Sequence, residues 1–305
     1  MENSKHPTVL SAQQQYVLSR LLPLARIATE GSREGLPVQP RCHTLIIGPS
    51  GSGKSFIAKA LGAQLGLSTM VINVSSWVVL SARNEPWTFS SICQWLDSLN
   101  GGGILVLDEI DKIGGTTDWQ SYIRLEAHDL LDCVIPLAAR LPSVEQDNPW
   151  DLQTNVFPNA DRETLARKLR ERVFILGCGA WQSAWNSNSR TLGFSANAAS
   201  TVEPPGRDQI LKSIEPELRQ RFRNEVCWMT PMGRTDYYTV SSDIAKRIKH
   251  PGTRRAWNRL AGPAIEQAVT AGLGMRVFEE LMLSALLETP VVNEPTSGDF
   301  EMPDM

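Results

Sequence analysis

Several features are missing from this 305-residue sequence, and each absence excludes a class of protein. No apolar run is long enough to cross a bilayer, and residues 1–7 lack the apolar segment of a signal peptide. The five cysteines form no C-x-x-C pair, so a disulfide framework is not indicated. The four histidines are isolated and form no zinc-binding pattern. We therefore expect a cytoplasmic protein with buried thiols and no membrane contact.

The sequence also lacks a strong charge bias and internal repeats. Its net charge of -3 gives no global basic field of the kind that attracts nucleic acid. A hydrophobic content of 42% is enough for an ordinary core. The length exceeds what one small domain needs, so we expect one larger and one smaller domain.

A glycine-rich stretch carries the clearest chemical signal. It has the pattern G-x-x-x-x-G-K-[ST], between the apolar run 44–47 and a helix that starts near Phe56. Glycines let the backbone bring N–H groups to phosphate oxygens, Lys54 can reach the β- and γ-phosphates, and the Ser55 hydroxyl can bind Mg²⁺. The alternative is a Gly/Ser turn before an ordinary helix. The predicted ATP-binding residues are Gly48, Pro49, Ser50, Gly51, Ser52, Gly53, Lys54 and Ser55.

Another apolar run, 104–107, is followed by two carboxylates. In open α/β sheets, ligands bind at the carboxyl ends of the strands. We predict that Asp108 holds Mg²⁺ together with Ser55, and that Glu109 activates the attacking water as the general base. The alternative is a strand that simply ends in surface charges.

Strand and helix patterns alternate up to about residue 230, and only helices follow. We predict an α/β fold, with the five-stranded parallel sheet of a P-loop NTPase, flanking helices, and a small all-α lid domain after the sheet. The predicted strands are 44–47, 69–74, 104–107, 173–176 and 226–229. The predicted helices are 11–29, 56–66, 87–99, 118–141, 161–170, 207–223, 242–249, 253–271 with a break at Pro263, and 275–288.

These patterns divide the chain into four parts. Residues 1–40 form an N-terminal helix and connector, and residues 41–232 form the large nucleotide-binding domain. Residues 233–289 form the lid, and residues 290–305 are an acidic tail that we expect to be disordered.

Four short strings carry a resemblance to a known family. They are L-D-E-I-D-K-I at 107–113, F-I-L-G-C-G-A-W at 174–181, P-E-L-R-Q-R-F at 216–222 and G-L-G-M-R at 272–276. The chain resembles the AAA+ ATPases, and within them the ClpX/HslU-type unfoldases, without their N-terminal zinc-binding domain. The resemblance implies Mg²⁺-dependent ATP hydrolysis and self-association into a ring such as a hexamer. At the fourth-strand position that usually senses nucleotide, this chain has Gly177 or Cys178 instead of a clear polar residue.

The same resemblance assigns two arginines to catalysis. Such rings bring an arginine of the neighbouring subunit to the γ-phosphate, and the match selects Arg221, with Arg219 and Arg223 as rivals. On one continuous helix, Arg219 and Arg223 would share a face that Arg221 does not. Arg276, at the start of the last helix, would reach the nucleotide of its own subunit. The alternative for each arginine is an ordinary basic surface.

Two further segments are interpreted through the resemblance. Residues 81–90 occupy the place of a substrate-gripping pore loop, with Trp87 and then Phe89 as gripping side chains, unless these aromatics belong to the core. Leu192-Gly193-Phe194 corresponds to a tripeptide that docks on the ClpP peptidase, or else folds back onto its own domain.

Three kinds of function stay open. The leading hypothesis is an ATP-driven ring motor that remodels or unfolds a macromolecule, with a protein as the substrate. A motor acting on nucleic acid, or in a mobile-element or defence system, could use the basic run from Lys246 to Arg259, which includes Trp257. The alternative for this run, which we prefer, is a solvated helix face. The third is an ATP-gated switch for a partner protein, and an intact general base, Glu109, argues against it.

Overall fold

The apolar runs of the sequence become the strands of one parallel sheet in the computed structural model, which describes residues 9–31, 36–38, 40–82, 87–113, 118–135, 159–181 and 207–289. The sheet order is β2-β3-β4-β1-β5, and each neighbouring pair is parallel. The five-stranded sheet with flanking helices is therefore confirmed. The strands are β1 (Thr44–Ile47), β2 (Ser68–Asn73), β3 (Gly103–Asp108), β4 (Val173–Gly179) and β5 (Cys227–Trp228).

Helices connect the strands and continue into a second unit. The chain divides after Met232 into two compact units. The helices of the first unit are α1 (Ala12–Thr29), α2 (Lys54–Leu65), α3 (Val74–Ala82), α4 (Trp87–Ser98), α5 (Asp118–Leu131), α6 (Asn159–Arg172), α7 (Arg207–Ser213) and α8 (Pro216–Arg221), with a 3₁₀ turn at Ile110–Ile113. Those of the second unit are α9 (Arg234–Arg247), α10 (Pro251–Ala271) and α11 (Arg276–Leu287). No helix among the described residues is long and apolar enough to span a membrane.

Successive side chains of the central strands point to opposite faces of the sheet, and each face has its own hydrophobic core. On β3, Leu105 and Leu107 pack in one cluster with residues of α3, α4, α5 and α6. The intervening Ile104 and Val106 pack in the other cluster, with residues of α1 and α2. Because both faces of a parallel sheet are covered, its strands need continuous apolar runs, which is why they were visible in the sequence.

Two predicted element ends were wrong. β4 continues past Leu176, because Gly177 and Gly179 still pair with β1. The helix predicted for 118–141 ends at Leu131, where Cys133 adopts a left-handed φ of 58° and its N–H donates to the carbonyl of Leu130. Helix α3 was not predicted at all.

Prolines explain two further differences. The helix predicted for 207–223 is two helices, because Pro216 has no N–H to continue the first one and instead starts α8. Pro263 was expected to break a helix, yet α10 runs through it. Pro263 lies on the exposed side of α10, where water can satisfy the carbonyl that a proline leaves unbonded.

The start of α9 was also predicted wrongly. The sequence pattern predicted that this helix begins at residue 242, but it begins at Arg234.

From the tight packing around β4 we predict the effect of a substitution on the stability of the protein. A Cβ on Gly177 would lie 2.6 Å from Leu45 Cδ2 and 2.9 Å from Phe222 Cζ, whereas one on Gly101 would meet nothing within 4 Å. We expect Gly177→Ala to lower the free energy of unfolding by about 1–3 kcal/mol, as overpacking does. Gly101→Ala is the control and should change it by less than about 0.5 kcal/mol. Urea denaturation of both variants measures this, and equal stability of the two would contradict the described packing of β4.

Candidate nucleotide-binding site

The loop between β1 and α2 has the backbone of a phosphate cradle. Gly51 and Gly53 have left-handed φ values of 80° and 88°, which other residues rarely adopt. Gly53 is also the N-cap of α2, so the helix N-terminus opens directly onto the loop. Gly48 has no room for a side chain, because a Cβ there would lie 2.7 Å from both Cβ and the carbonyl oxygen of Met229. The described loop therefore requires glycine at these three positions.

Lys54 lies inside this loop. It is only 9% exposed, and its Nζ donates to the carbonyl oxygens of Gly48 at 2.8 Å and Pro49 at 2.9 Å. Burial lowers the pKa of Lys54, and nearby groups including Cys178 and Asp108 act in the opposite direction. A phosphate beside Nζ would favour the charged ammonium further. The loop thus holds a cation where anionic oxygens would bind.

The two predicted metal ligands contact each other. The Ser55 hydroxyl donates to Asp108 Oδ2 at 2.6 Å, and Asp108 Oδ1 accepts from the Glu109 N–H at 3.1 Å. The described residues contain no group of three or more His, Cys, Asp or Glu that could hold a metal ion unaided. The donors fit Mg²⁺, which is commonly bound by one or two protein oxygens together with nucleotide phosphates and water.

Glu109 is held by a contact that the sequence did not reveal. Its carboxylate accepts a 2.6 Å hydrogen bond from the Ser75 hydroxyl, in the first turn of α3. Its own φ is 58°, a value that costs a non-glycine residue conformational energy. The side chain is exposed beside Asp108. Ser75 was missed because α3 was not predicted.

The end of β4 is fixed to the 3₁₀ turn that follows Glu109. Asp111 accepts from the backbone N–H groups of Ala180 at 3.1 Å and Trp181 at 3.3 Å. Cys178 lies opposite Asp108 in the strand register, and burial raises the pKa of its thiol. At the strand position that the resemblance associates with nucleotide sensing, β4 therefore presents a buried thiol, and the adjoining backbone is held by Asp111.

The three arginines near α8 are in different environments. Arg221 donates through Nε to Asp132 at 2.9 Å and also to the carbonyl of Glu217. Arg223 lies beyond the end of α8 and pairs with Glu225, so the prediction that Arg219 and Arg223 share one helical face was wrong. Arg219 is exposed and makes no side-chain ion pair with the described part of the chain.

The second unit presents Arg276 and a basic stretch. Arg276 is the first residue of α11 and is exposed. Trp257, predicted as part of a nucleic-acid surface, is only 1% exposed and donates to Ser241 from its indole N–H. It belongs to the core of this unit. The surrounding cations are exposed, namely Lys246, Arg247, Lys249, Arg254, Arg255 and Arg259.

The predicted gripping and docking segments are only partly described. Phe89 is 2% exposed and packs against Trp77, with ring centroids 6.5 Å apart, so its assignment as a gripping residue was wrong. The Trp87 side chain, residues 83–86 and Leu192-Gly193-Phe194 lie outside the described residues.

Comparison with known proteins supports this geometry. Residues 44–135 match the family model "ATPase family associated with various cellular activities (AAA)". The chain is 28% identical over 136 residues to the replication factor C large subunit of Staphylothermus marinus, covering 43% of this chain and 29% of that protein. It is 30% identical over 145 residues to the A-like 1 form of the katanin p60 ATPase-containing subunit of Homo sapiens and of Rattus norvegicus, covering 45% of this chain and 29% of each relative. The chain therefore spans less than a third of the length of these curated relatives. Together with the sheet order and the loop, the match shows that the chain contains a P-loop NTPase domain of the AAA ATPase family.

Proposed function

We propose that this protein is a Mg²⁺-dependent ATPase that works as a ring, such as a hexamer, and remodels or unfolds a protein substrate. One observation carries the proposal. Lys54, the Ser55–Asp108 pair and Glu109 lie together at the carboxyl edge of the sheet, although they come from two separate parts of the sequence. These are the phosphate, metal and water-activating groups that ATP hydrolysis needs.

Each residue has a distinct task in this proposal. Lys54 supplies positive charge to the β- and γ-phosphate oxygens, and the backbone N–H groups of residues 48–55 supply the remaining donors. Ser55 and Asp108 hold Mg²⁺, which when bound neutralises phosphate charge. Glu109 accepts the proton of the attacking water, and Ser75 keeps its carboxylate oriented until water is in place.

A ring is proposed because the motif match assigns the arginine at the γ-phosphate to a neighbouring copy of the chain. The contact of Arg221 with Asp132 occupies this arginine within its own chain. To serve a neighbour's nucleotide, Arg221 has to exchange Asp132 for phosphate oxygens, while exposed Arg219 could act without giving up an ion pair. Arg276 is proposed to contact the nucleotide of its own subunit. The ClpX/HslU-type branch and docking on a peptidase through Leu192-Gly193-Phe194 stay predictions.

A second candidate function is action on nucleic acid. From residue 244 to residue 265 the sequence contains no Asp or Glu, while six Lys and Arg side chains are exposed there. Two of the six pair with acidic residues outside this range, Lys246 with Asp243 and Arg259 with Glu288. Arg254 and Arg255 lie near the N-terminus of α10, where cations oppose the helix dipole and anions are favoured. Arg254 and Arg255 therefore do not stabilise α10 through its dipole, and their presence needs another reason. One relative is named as a replication factor, which agrees with this candidate.

The first test separates nucleotide binding from hydrolysis. Lys54→Ala should abolish nucleotide binding, because it removes the charge inside the loop. Glu109→Gln should keep binding and lower turnover by about 10²- to 10⁴-fold, since it retains the shape but not the base. Titration with a fluorescent ATP analogue and phosphate release measure the two effects. Equal loss of binding in both variants would refute the roles assigned here.

The test of Arg221 uses a variant of its ion-pair partner, Asp132, as the control. Arg221→Ala should lower turnover by on the order of 10³-fold without dissociating the ring. Asp132→Ala removes the same ion pair but leaves Arg221 available, so it should retain activity. Mixing Arg221→Ala with Glu109→Gln protein should recover some activity if the arginine acts between subunits. If Asp132→Ala and Arg221→Ala lose activity equally, the ion pair is structural, and Arg219→Ala then tests the other candidate.

The nucleic-acid candidate predicts salt-dependent binding of short DNA or RNA duplexes and single strands. Replacing Arg254 and Arg255 by Gln should weaken binding and reduce the slope of log K against log salt by about 1 for each phosphate interaction that is removed. Arg234→Gln is the matched control, because this cation of the same unit is paired with Glu266. Binding that is unchanged in the double variant, or absent from the wild type at low salt, would remove this candidate.

A further inference from the structure

The first helix, α1, places one buried amide against the phosphate cradle. Gln14 is fully buried, and its Nε2 donates to the carbonyl oxygen of Ser52 at 3.0 Å. This contact joins residues 38 positions apart and reaches the middle of the loop. No local pattern indicates it, since Gln14 is one polar residue among several on an amphipathic helix.

Gln14 is held in this position from the other side by Ser11. The N–H of Ser11 donates to Gln14 Oε1 at 2.9 Å, and the Ser11 hydroxyl accepts from the Gln14 N–H. This reciprocal pair is a capping box at the start of α1. Because the oxygen of the amide is occupied by Ser11, its nitrogen is directed to Ser52.

A capping role alone does not account for the contact with the loop. The capping box uses the oxygen of the Gln14 amide and is complete without Ser52. The carbonyl of Ser52 is buried, so it needs a donor, and the nitrogen of Gln14 supplies one. The Gln14 amide therefore hydrogen-bonds both to the start of α1 and to the phosphate-binding loop.

The contact with Gln14 also orients the N–H at the other side of the Ser52–Gly53 peptide group. In a trans peptide the C=O and N–H point in opposite directions. Fixing the Ser52 carbonyl on Gln14 therefore turns the Gly53 N–H away from α1. Gly53 is the N-cap of α2 and has a left-handed φ, so its N–H belongs to the set that a phosphate-binding loop offers to its ligand.

We infer that Gln14 is a positioning residue for nucleotide binding, which fixes the Ser52–Gly53 peptide so that the Gly53 N–H is presented to a nucleotide phosphate. The inference rests on the proposed nucleotide-binding function. It makes α1 part of the binding site, although α1 precedes the P-loop strand and carries no phosphate-binding motif of its own.

The test compares four variants of the full chain by equilibrium binding of ADP and ATPγS. Gln14→Met keeps the length of the side chain but removes the donor, and Gln14→Asn keeps the amide but is one methylene too short. Both should raise the Kd about tenfold, the effect of removing one hydrogen bond to a charged group. The turnover number at saturating ATP should stay within about twofold, because a contact made equally in ground and transition states affects KM alone.

Two controls separate positioning from stability. Gln15→Met makes the same chemical change at an exposed position of α1, and should leave both Kd and melting temperature unchanged. Leu21→Ala removes a fully buried core side chain from α1, and should lower the melting temperature without changing Kd.

The outcomes distinguish the inference from the function on which it rests. A wild-type protein that binds no nucleotide would overturn both. A wild-type protein that binds, with the two Gln14 variants binding equally well, would overturn the positioning role alone. The positioning role is also overturned if Leu21→Ala raises Kd as much as Gln14→Met does, because general destabilisation would then explain the effect.

Discussion

Ser55 lies at the start of α2, which follows β1, and Asp108 ends β3; these two strands are not neighbours, because β4 runs between them in the sheet. Two strand spacings separate the ends of β1 and β3 by about 10 Å. The Ser55 hydroxyl, in the first turn of α2 above β1, nevertheless meets Asp108 at 2.6 Å. β4 ends in Gly177, Cys178 and Gly179, residues with small or no side chains. Cys178 is paired with Ile46 of β1 on one side and with Asp108 on the other, so the Ser55–Asp108 hydrogen bond ties the end of β3 to the start of α2 across β4.

The charged groups at the ends of β1 and β3 are engaged with the chain itself. Lys54 is bonded to carbonyls of its own loop, Asp108 to Ser55 and Glu109 to Ser75. Each partner is neutral, so none of these contacts neutralises the charge that nucleotide and Mg²⁺ would meet. The groups are therefore fixed in position while keeping their charge, and preorganised charge is what electrostatic catalysis requires. Arg221 differs, because its partner Asp132 is acidic.

The parts of the fold that could be predicted are those whose signal is local. The P-loop and the Asp108-Glu109 pair each lie within a few residues of a buried strand, and parallel strands covered on both faces are continuous apolar runs. Helix α3 could not be predicted, because V-S-S-W-V-V-L-S-A is rich in β-branched residues and becomes helical through its packing. The contacts of Gln14 with Ser52 and of Arg221 with Asp132 join residues 38 and 89 positions apart, and no local pattern encodes them.

The most direct measurement is phosphate release by the purified full chain, followed as ATP, Mg²⁺ and protein concentration are varied separately. A Mg²⁺·ATP site at the ends of β1 and β3, completed by a neighbouring subunit, predicts release that saturates with ATP and requires Mg²⁺. It also predicts that turnover per subunit rises with protein concentration, as rings assemble. Release that is independent of Mg²⁺, or turnover per subunit that is constant down to a dilute monomer, would contradict a shared site of this kind.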